Sequence, residues 1–293
     1  MEKNRINDIQ KLLPNFKIDN FKLLNIGANS EAFMVNNEFI FRFPLKKTVF
    51  EDYKVEKQIL ETLEPYIKST KIPKTEIFDN DRISFSKHKI IEGIDFYKSK
   101  VDLSLKRKIA KQLAKFYVEL HSVDTDNFDF LKDRGFHLEG YDISDKVNEL
   151  KEILGDDFIE ENISEKMDYL YETHNHFDEM DKVLCHGDIH EENIIINNGN
   201  LSGIIDFGNV FIGNRNVDFS SILEYDIDFG LSVIEEYEKS IKQNLNRKYI
   251  LYLQQIRCYS NLLYFVANGD EKYTEMFKRY IKNLNRFSGN FYS

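Results

Sequence analysis

Long apolar runs, cysteines and an excess of basic residues are scarce or absent in this chain of 293 residues. The longest apolar runs, such as Ile194–Ile196, fall far short of the roughly 20 residues that a helix needs to cross a bilayer. The charged stretch after Met1 lacks the apolar core of a secretory signal. Two cysteines cannot build a disulfide framework. We therefore expect no membrane segment and predict a cytoplasmic protein.

Basic residues are outnumbered, which argues against nucleic acid as the main partner. Forty lysines and arginines stand against fifty aspartates and glutamates, so the net charge is −10 at pH 7. Negative charge repels a phosphate backbone. The composition instead favours a small cationic substrate. The length suits two packed units better than one small module, and no repeat or glycine–serine linker interrupts the chain.

Short alternating runs dominate the first part of the chain, residues 1–92. Phe39, Phe41 and Phe43 share one face of a run in which Arg42 lies on the other face, and this two-residue period is typical of a strand. We interpret this part as a mostly antiparallel sheet that carries one helix. The patterns predict strands at residues 30–35, 38–43, 75–78 and 83–87 and a helix at residues 49–63.

Residues 93–293 follow a mainly helical pattern. At residues 104–121, apolar side chains recur every three or four positions and form the stripe of a helix that packs one face against a core. Similar spacing continues through residues 142–181 and again after Ser221. The sequence therefore predicts a small sheet-bearing lobe at residues 1–92, followed by a larger helical lobe.

A strand-rich island at residues 183–206 lies between the helical blocks. Asn198 and Gly199 separate two apolar runs there, and an Asn-Gly pair in this position is the strongest short signal for a hairpin. We therefore expect residues 194–197 to pair in antiparallel fashion with residues 201–205.

The two ends of this hairpin carry oxygen ligands. Asn193 precedes the first strand and Asp206 follows the second, so an amide and a carboxylate converge, and Mg²⁺ accepts such oxygens. Asp188 lies on the turn just before. Phosphoryl transfer needs a base for the attacking hydroxyl and ligands for a metal on the phosphates. The sequence thus predicts a metal-binding hairpin at residues 193–208 with Asp188 beside it.

Two motifs at this spacing resemble those of a known family. His186–Asp188 reads His-Gly-Asp and is followed by Asn193, and Asp206–Gly208 reads Asp-Phe-Gly thirteen residues later. Together they are similar to the catalytic and metal motifs of the aminoglycoside phosphotransferase and small-molecule kinase family. Val217–Phe219 adds a likeness to the aminoglycoside 2″-phosphotransferases. The resemblance implies an α+β, bilobal protein-kinase-like fold, with a small antiparallel-sheet lobe carrying one helix and a larger, mainly helical lobe.

The resemblance also implies roles for residues around the catalytic loop, which we define as residues 186–193. By position in the motifs, Asp188 is the catalytic base, Asn193 and Asp206 hold Mg²⁺, and His186 and Asp218 brace the loop.

In the small lobe, the resemblance implies a site for ATP or GTP. Arg42 occupies the strand position where kinases usually place a phosphate-binding lysine, and Glu56 matches its ion-pair partner. The planar guanidinium can still bind phosphate, and Lys46 is the alternative contact. The remaining nucleotide-binding candidates are Gly27 and Ser30 in the covering loop and Lys89 and Ile91 in the linker that faces the purine.

Three alternatives remain open. Gly187–His190 also resembles the Gly-Asp-x-His of metallophosphoesterases, although the further motifs of a two-metal site are lacking. Arg42 and the glycine-poor covering loop would suit a non-catalytic pseudokinase. The presence of Asp188, Asn193 and Asp206 together counts against this alternative. The main competitor is another small-molecule kinase of this fold, acting on choline, a sugar, homoserine or a macrolide.

Acidic side chains are concentrated after the catalytic loop. Residues 191–240 contain ten acidic side chains and two basic ones. In a kinase-like fold the segment after Asp218 enters the acceptor cleft, so we expect a cationic acceptor, an aminoglycoside, to bind here. We also expect the protein to act as a monomer. A solvated acidic helix face is the competing interpretation. The substrate-binding candidates are Glu191, Glu192, Glu224, Asp226 and Asp228.

Overall fold

The computed structural model describes residues 2–27, 29–80, 82–99, 101–155, 163–175, 182–224 and 226–291. Its first part contains five strands that form one antiparallel sheet. The predicted strands and the predicted helix are confirmed. The elements are α1 (Glu2–Leu12), β1 (Phe21–Ile26), β2 (Ser30–Val35), β3 (Phe39–Pro44), α2 (Lys47–Leu63), β4 (Thr75–Asp79) and β5 (Ser84–Lys89), and the strand order is β1-β2-β3-β5-β4.

Alternation along β3 decides which face of the sheet is buried. Phe41 and Phe43 are fully buried, because they pack with apolar side chains of α1, β2 and β5 in one cluster. The side chain of Arg42, between them in sequence, instead contacts Glu56 on α2. The phenylalanine face therefore holds the sheet together, and the opposite face is left for polar contacts.

Two elements of this part were not predicted from the sequence, the helix α1 and the strand β1. In α1, Ile9 is fully buried and Arg5 Nε donates to the Glu31 carboxylate at 2.7 Å. In β1, Leu24 and Ile26 are 47% and 49% exposed, so the strand lacks the clean alternation that marks a half-buried strand. The sheet thus carries two helices rather than the one that was predicted.

The second part is mainly helical, as predicted. The end of α2 shares a core with its helices, and the lobe boundary at residue 92 stays a prediction. Among the described helices, none is long and apolar enough to span a membrane. Of the predicted helical stretch 142–181, residues 156–162 and 176–181 lie outside the described residues. The helices are α3 (Leu103–His121), α4 (Val147–Leu154), α5 (Ile163–Asn175), α6 (Arg215–Asp218), α7 (Ile227–Ile241), α8 (Arg247–Ala267) and α9 (Glu271–Phe291).

Two small sheets position the segment that the motifs mark. The predicted hairpin is confirmed, with Ile194 opposite Ile204 and a turn in which Asn198 and Gly199 have φ values of 48° and 71°. The strands are β6 (Ile94–Asp95), β7 (Lys182–Cys185), β8 (Ile194–Asn197), β9 (Asn200–Ile204) and β10 (Phe211–Asn214), of which β7 pairs with β10 and β8 lies between β6 and β9.

Candidate active site

The catalytic loop contains a glycine that its backbone requires. Gly187 has a φ of +83°, and a Cβ there would lie 2.7 Å from the carbonyl oxygen of Asn209. Both the left-handed conformation and the close approach disfavour any side chain. The glycine therefore lets the catalytic loop lie directly against the chain that follows Asp206–Gly208.

Asp218 holds the backbone of the catalytic loop. Its carboxylate is fully buried and accepts the backbone N–H groups of His186 at 2.9 Å and Gly187 at 2.6 Å. His121 Nε2 lies 3.0 Å from the same carboxylate. Hydrogen bonds to a charged acceptor are among the stronger ones in proteins. The contacts therefore agree with the bracing role that the motif implies for Asp218.

His186 is packed rather than exposed. Its ring is fully buried and lies edge-on to Phe207, with 4.6 Å between the ring centroids. Burial lowers the pKa of His186, although the charges of Asp218 and Asp188 act in the opposite direction. The His186 ring thus joins the catalytic loop to the Asp-Phe-Gly motif through an apolar contact.

The carboxylate of Asp188 has a donor near each oxygen. Arg257 Nη2 lies 3.4 Å from Oδ1, and Asn209 Nδ2 lies 3.4 Å from Oδ2. The Asp188 backbone carbonyl accepts the side-chain Nδ2–H of Asn193 at 2.9 Å. The side chain is 27% exposed and lines a cavity of about 1270 Å³, which we call the large cavity. Asp188 is thus oriented by protein groups and still open to a ligand.

Asn193 and Asp206 offer oxygen ligands at adjacent ends of the hairpin. The Asn193 carbonyl accepts the Ile205 N–H at 3.1 Å, and its side-chain nitrogen is engaged with Asp188, which leaves the side-chain oxygen as a ligand. Asp206 is exposed and has a left-handed backbone, with φ 67° and ψ 68°, a strained geometry that is frequent at functional sites. This donor set fits Mg²⁺.

Arg42 and Glu56 form the ion pair that the resemblance implies. Arg42 Nη1 lies 3.3 Å from Glu56 Oε1, and Nη2 contacts the second carboxylate oxygen. The guanidinium lies over the ring of Tyr53 at 4.4 Å. Burial acts to lower the pKa of Arg42, but Glu56, Tyr53 and Asp206 together outweigh it, so the pKa is raised. Arg42 therefore lies within electrostatic reach of the predicted metal ligand Asp206.

The other nucleotide-binding candidates lie around this pair in different environments. The Gly27 N–H donates to the Ser30 carbonyl at 2.9 Å and closes the turn between β1 and β2. Lys46 is exposed at the start of α2. Lys89 is exposed and lies 3.2 Å from the Glu38 carboxylate. The roles of these residues stay predictions.

Ile91, the remaining candidate, packs against the hairpin. A Cβ on Gly203 would lie 2.6 Å from its Cγ2 atom. The linker is therefore held next to β9 by a contact that needs glycine on the hairpin. Nearby on β5, burial and the charge of Arg42 lower the pKa of His88 to about 4, so this ring is neutral at physiological pH.

The predicted substrate-binding residues separate into two groups. Glu192 and Glu224 line the large cavity, whereas the structure does not bring the other three there. Asp226 instead caps α7 by accepting the Phe229 N–H at 2.9 Å and pairs with Lys106.

The remaining two of these residues are also placed away from the large cavity. Asp228 is exposed on the first turn of α7. Glu191 is 2% exposed, and burial raises the pKa of its carboxyl group well above the ordinary value. The reason in each case is local, since helix capping and burial determine where these acidic side chains lie.

Several residues of the site were missed by sequence reasoning. Asn209 follows the Asp-Phe-Gly motif directly, so its position in sequence was a usable signal. Arg134 donates to the Gly208 carbonyl at 3.1 Å and to Asp52 on α2 at 3.1 Å, and Arg257 reaches Asp188 from α8. Both arginines lie far from the motif in sequence, and no local pattern marks them.

The fold is similar to solved structures of phosphotransferases. The GDP complex of wild-type aminoglycoside 2′-phosphotransferase-IIIa aligns over 99% of this chain and 99% of its own, with a TM-score of 0.73 at 19% identity. The ternary complex of APH(2″)-IIa with streptomycin and ATP aligns over 88% of this chain and 90% of its own, with a TM-score of 0.63 at 24% identity. A macrolide 2′-phosphotransferase from Brachybacterium faecium aligns over 95% and 98%, with a TM-score of 0.63 at 13% identity.

These likenesses establish the shared kinase-like fold, and the predicted resemblance to aminoglycoside phosphotransferases is confirmed. A match at the level of sequence goes further. Residues 20–247 match the phosphotransferase enzyme family, a span that includes β1 through α7 and therefore the catalytic loop and the metal hairpin. The chain belongs to the phosphotransferase enzyme family.

Proposed function

We propose that this small-molecule phosphotransferase moves the γ-phosphoryl group of ATP or GTP to a hydroxyl of a cationic acceptor, with aminoglycosides as the acceptor class. The observation that carries the proposal is the position of Asp188, which lines the large cavity and whose carbonyl accepts from the Asn193 side chain. We infer that a base, metal ligands and an acceptor space come together around the catalytic loop.

In the proposed reaction, the acceptor hydroxyl lies in the large cavity against the Asp188 carboxylate. Its oxygen bonds to the γ-phosphorus while the bond from phosphorus to the β–γ bridging oxygen breaks, and the electron pair leaves with the nucleoside diphosphate. The hydroxyl proton passes to Asp188 late in the step. Mg²⁺, when bound by Asn193 and Asp206, supplies positive charge to the phosphate oxygens. Arg42, held by Glu56, binds the phosphates from the small lobe, with Lys46 as the alternative.

The charge of the large cavity supports a cationic acceptor. The carboxylates in its lining outnumber the guanidinium groups by six to two. In a partly desolvated cavity, each charged hydrogen bond to an ammonium group contributes about 1.5–3 kcal/mol. The six acidic residues are Asp52, Asp133, Asp188, Glu192, Glu224 and Asp270, and the two arginines are Arg134 and Arg257.

The aromatic lining favours a second candidate, a macrolide or another bulky acceptor with a large apolar surface. The cavity wall formed by α8 and α9 contains Phe265, which stacks on Tyr273 at 4.8 Å and on Phe277 at 5.5 Å. Such rings bind the apolar faces of sugars as well as those of macrolides. The excess of carboxylates in the lining favours an aminoglycoside, which carries several ammonium groups, over this candidate.

The donor is proposed at the level of a nucleoside triphosphate. Two of the neighbours described above are nucleotide complexes, one with GDP and one with ATP, which supports a nucleotide site in this chain without selecting the base. We also propose that the chain divides into two lobes, at residues 1–92 and 93–293, and that the protein acts as a monomer.

A nucleotide-consumption screen tests the proposal. The protein is incubated with Mg²⁺ and either ATP or GTP, together with aminoglycosides, choline, macrolides or neutral sugars. We expect acceptor-dependent release of nucleoside diphosphate with aminoglycosides. Release that depends on choline, a macrolide or a sugar instead, with none for aminoglycosides, would reject aminoglycosides as the acceptor class.

A further inference from the structure

We propose that Arg257 is a positioning residue, which orients the Asp188 carboxylate and keeps acceptor ammonium groups away from it. The inference rests on the proposed function. Arg257 lies on α8, 69 residues from Asp188 in sequence, and it belongs to none of the motifs that mark the active site.

The Arg257 side chain is buried and held on several sides. It is 8% exposed, which is rare for an arginine unless its charge is paired. Nη1 donates to Ser220 Oγ at 3.0 Å, and Nη2 lies 3.4 Å from Asp188 Oδ1. Its Cζ atom lies 5.7 Å from the centroid of the Tyr141 ring. Because a buried ion pair adds little net stability, a role in the site accounts for this arginine better than a stabilising role does.

Ser220 links this arginine to the segment that braces the catalytic loop. The Ser220 hydroxyl donates to the Val217 carbonyl at 2.8 Å, so its lone pairs are directed to accept from Arg257. Asp218, between these two residues, holds the backbone N–H groups of the loop. One short segment thus fixes the loop backbone through Asp218 and the carboxylate of Asp188 through Arg257.

The charge of Arg257 also affects which acceptor group reaches Asp188. Without Arg257, the charge of Asp188 would attract an ammonium group as the charges of Glu192, Glu224 and Asp270 do. An ammonium group bound to Asp188 would block the reacting hydroxyl. The Arg257 guanidinium lies 3.4 Å from Asp188 Oδ1, so it repels a second cation that approaches the same carboxylate. Ammonium groups therefore bind to the other carboxylates, and Asp188 remains free for the hydroxyl.

The test compares turnover with acceptor affinity in three variants. Arg257→Ala removes the guanidinium, Arg257→Lys keeps the charge without the planar fork, and Arg247→Ala is the control because Arg247 lies on the same helix and pairs with Glu238 outside the lining of the large cavity. We expect kcat to fall about 10- to 100-fold in Arg257→Ala and less in Arg257→Lys, while the nucleotide KM is unchanged and the acceptor KM is unchanged or lower.

Added guanidinium separates positioning from a structural role. Millimolar guanidinium chloride should restore part of the kcat of Arg257→Ala and leave Arg247→Ala unaffected. A kcat within twofold of the wild type, or a fall in kcat without rescue, would overturn the inference. If Arg257→Ala does not fold, Ser220→Ala replaces it, with an expected fall in kcat of about 3- to 10-fold and an unchanged kcat as the contradicting result.

Slow hydrolysis of the nucleotide by water keeps the two proposals distinguishable. If the wild type phosphorylates no acceptor, the proposed acceptor class fails. Hydrolysis also needs Asp188 to orient the attacking oxygen, so the wild type and Arg257→Ala can still be compared. We expect the hydrolysis rate of Arg257→Ala to fall by the same factor as its kcat. Equal hydrolysis rates in the two proteins, or no hydrolysis by the wild type, would overturn the role of Arg257.

Discussion

The catalytic loop and the large cavity differ in how they are held. The loop is fixed by buried groups close to the motif, and Asp218 alone accepts two of its backbone N–H groups. The cavity is lined by partly exposed side chains from widely separated segments, among them Glu192, Glu224 and Asp270. The comparison teaches that the backbone of the catalytic loop is held by contacts within residues 186–218, whereas the lining of the large cavity depends on tertiary packing.

The largest effect should come from Asp188→Asn, in the catalytic loop. Turnover should fall by about two orders of magnitude or more, because the variant loses the proton acceptor. Nucleotide binding should remain nearly intact, since Asn193 and Asp206 are untouched. Single-turnover kinetics and calorimetric nucleotide titration measure the two quantities. Near-normal turnover would remove Asp188 from the mechanism.

Asp206→Ala should act on the metal rather than on the proton. Deleting the carboxylate should weaken Mg²⁺-dependent nucleotide binding by about tenfold or more, because a charged ligand of a hard cation is lost. Calorimetric titration of nucleotide with and without Mg²⁺ checks this prediction. A magnesium dependence equal to that of the wild type would contradict the assignment of the hairpin.

Substitutions in the large cavity should change acceptor affinity and leave the chemistry intact. Glu224→Gln or Glu192→Gln should raise the acceptor KM about 5- to 100-fold with little change in nucleotide KM. Asp228→Asn is the matched control, since Asp228 is exposed on α7. The affinity of the wild type should also fall as salt rises. Equal acceptor KM values for the control and the cavity variants would count against a cation site.

The smallest effect concerns acid stability around Asp218, which His121 on α3 contacts. Burial lowers the pKa of His121, against the opposing effect of Asp218, so the folded state favours the neutral ring. This stability is fully present above the unfolded pKa of about 6.5 and is lost as pH falls below it toward the folded value. The Tm should therefore drop on acidification, and less steeply in His121→Gln. Parallel slopes for the two proteins would contradict this.

The sequence was most informative where short-range rules apply. Two turns follow from local backbone preferences, because Asn and Gly readily adopt the left-handed conformation that such turns need. They are Asn36-Asn37, with φ values of 57° and 53°, and Asn198-Gly199. Both hairpins were therefore predictable. The convergence of Asn193 and Asp206 followed from the second hairpin alone.

Residues placed by packing could not be predicted in the same way. Asp226 and Asp228 share the acidic pattern of Glu224, yet capping and helix geometry direct them elsewhere. Arg257 reaches Asp188 only because α8 packs against the segment that contains Ser220. No local pattern records such contacts between distant segments, so the acceptor side of the site needed the structure.

The central claim is that Asp188 directs a phosphoryl group onto the hydroxyl of a cationic acceptor, and the mass of the acceptor tests it most directly. Wild-type protein and Asp188→Asn are incubated in parallel with Mg²⁺, ATP or GTP and an aminoglycoside, and the acceptor is followed by mass spectrometry. The account predicts a singly phosphorylated aminoglycoside that accumulates with the wild type and about a hundredfold or more slowly with the variant. Nucleotide consumption without a phosphorylated acceptor, or equal rates for the two proteins, would contradict it.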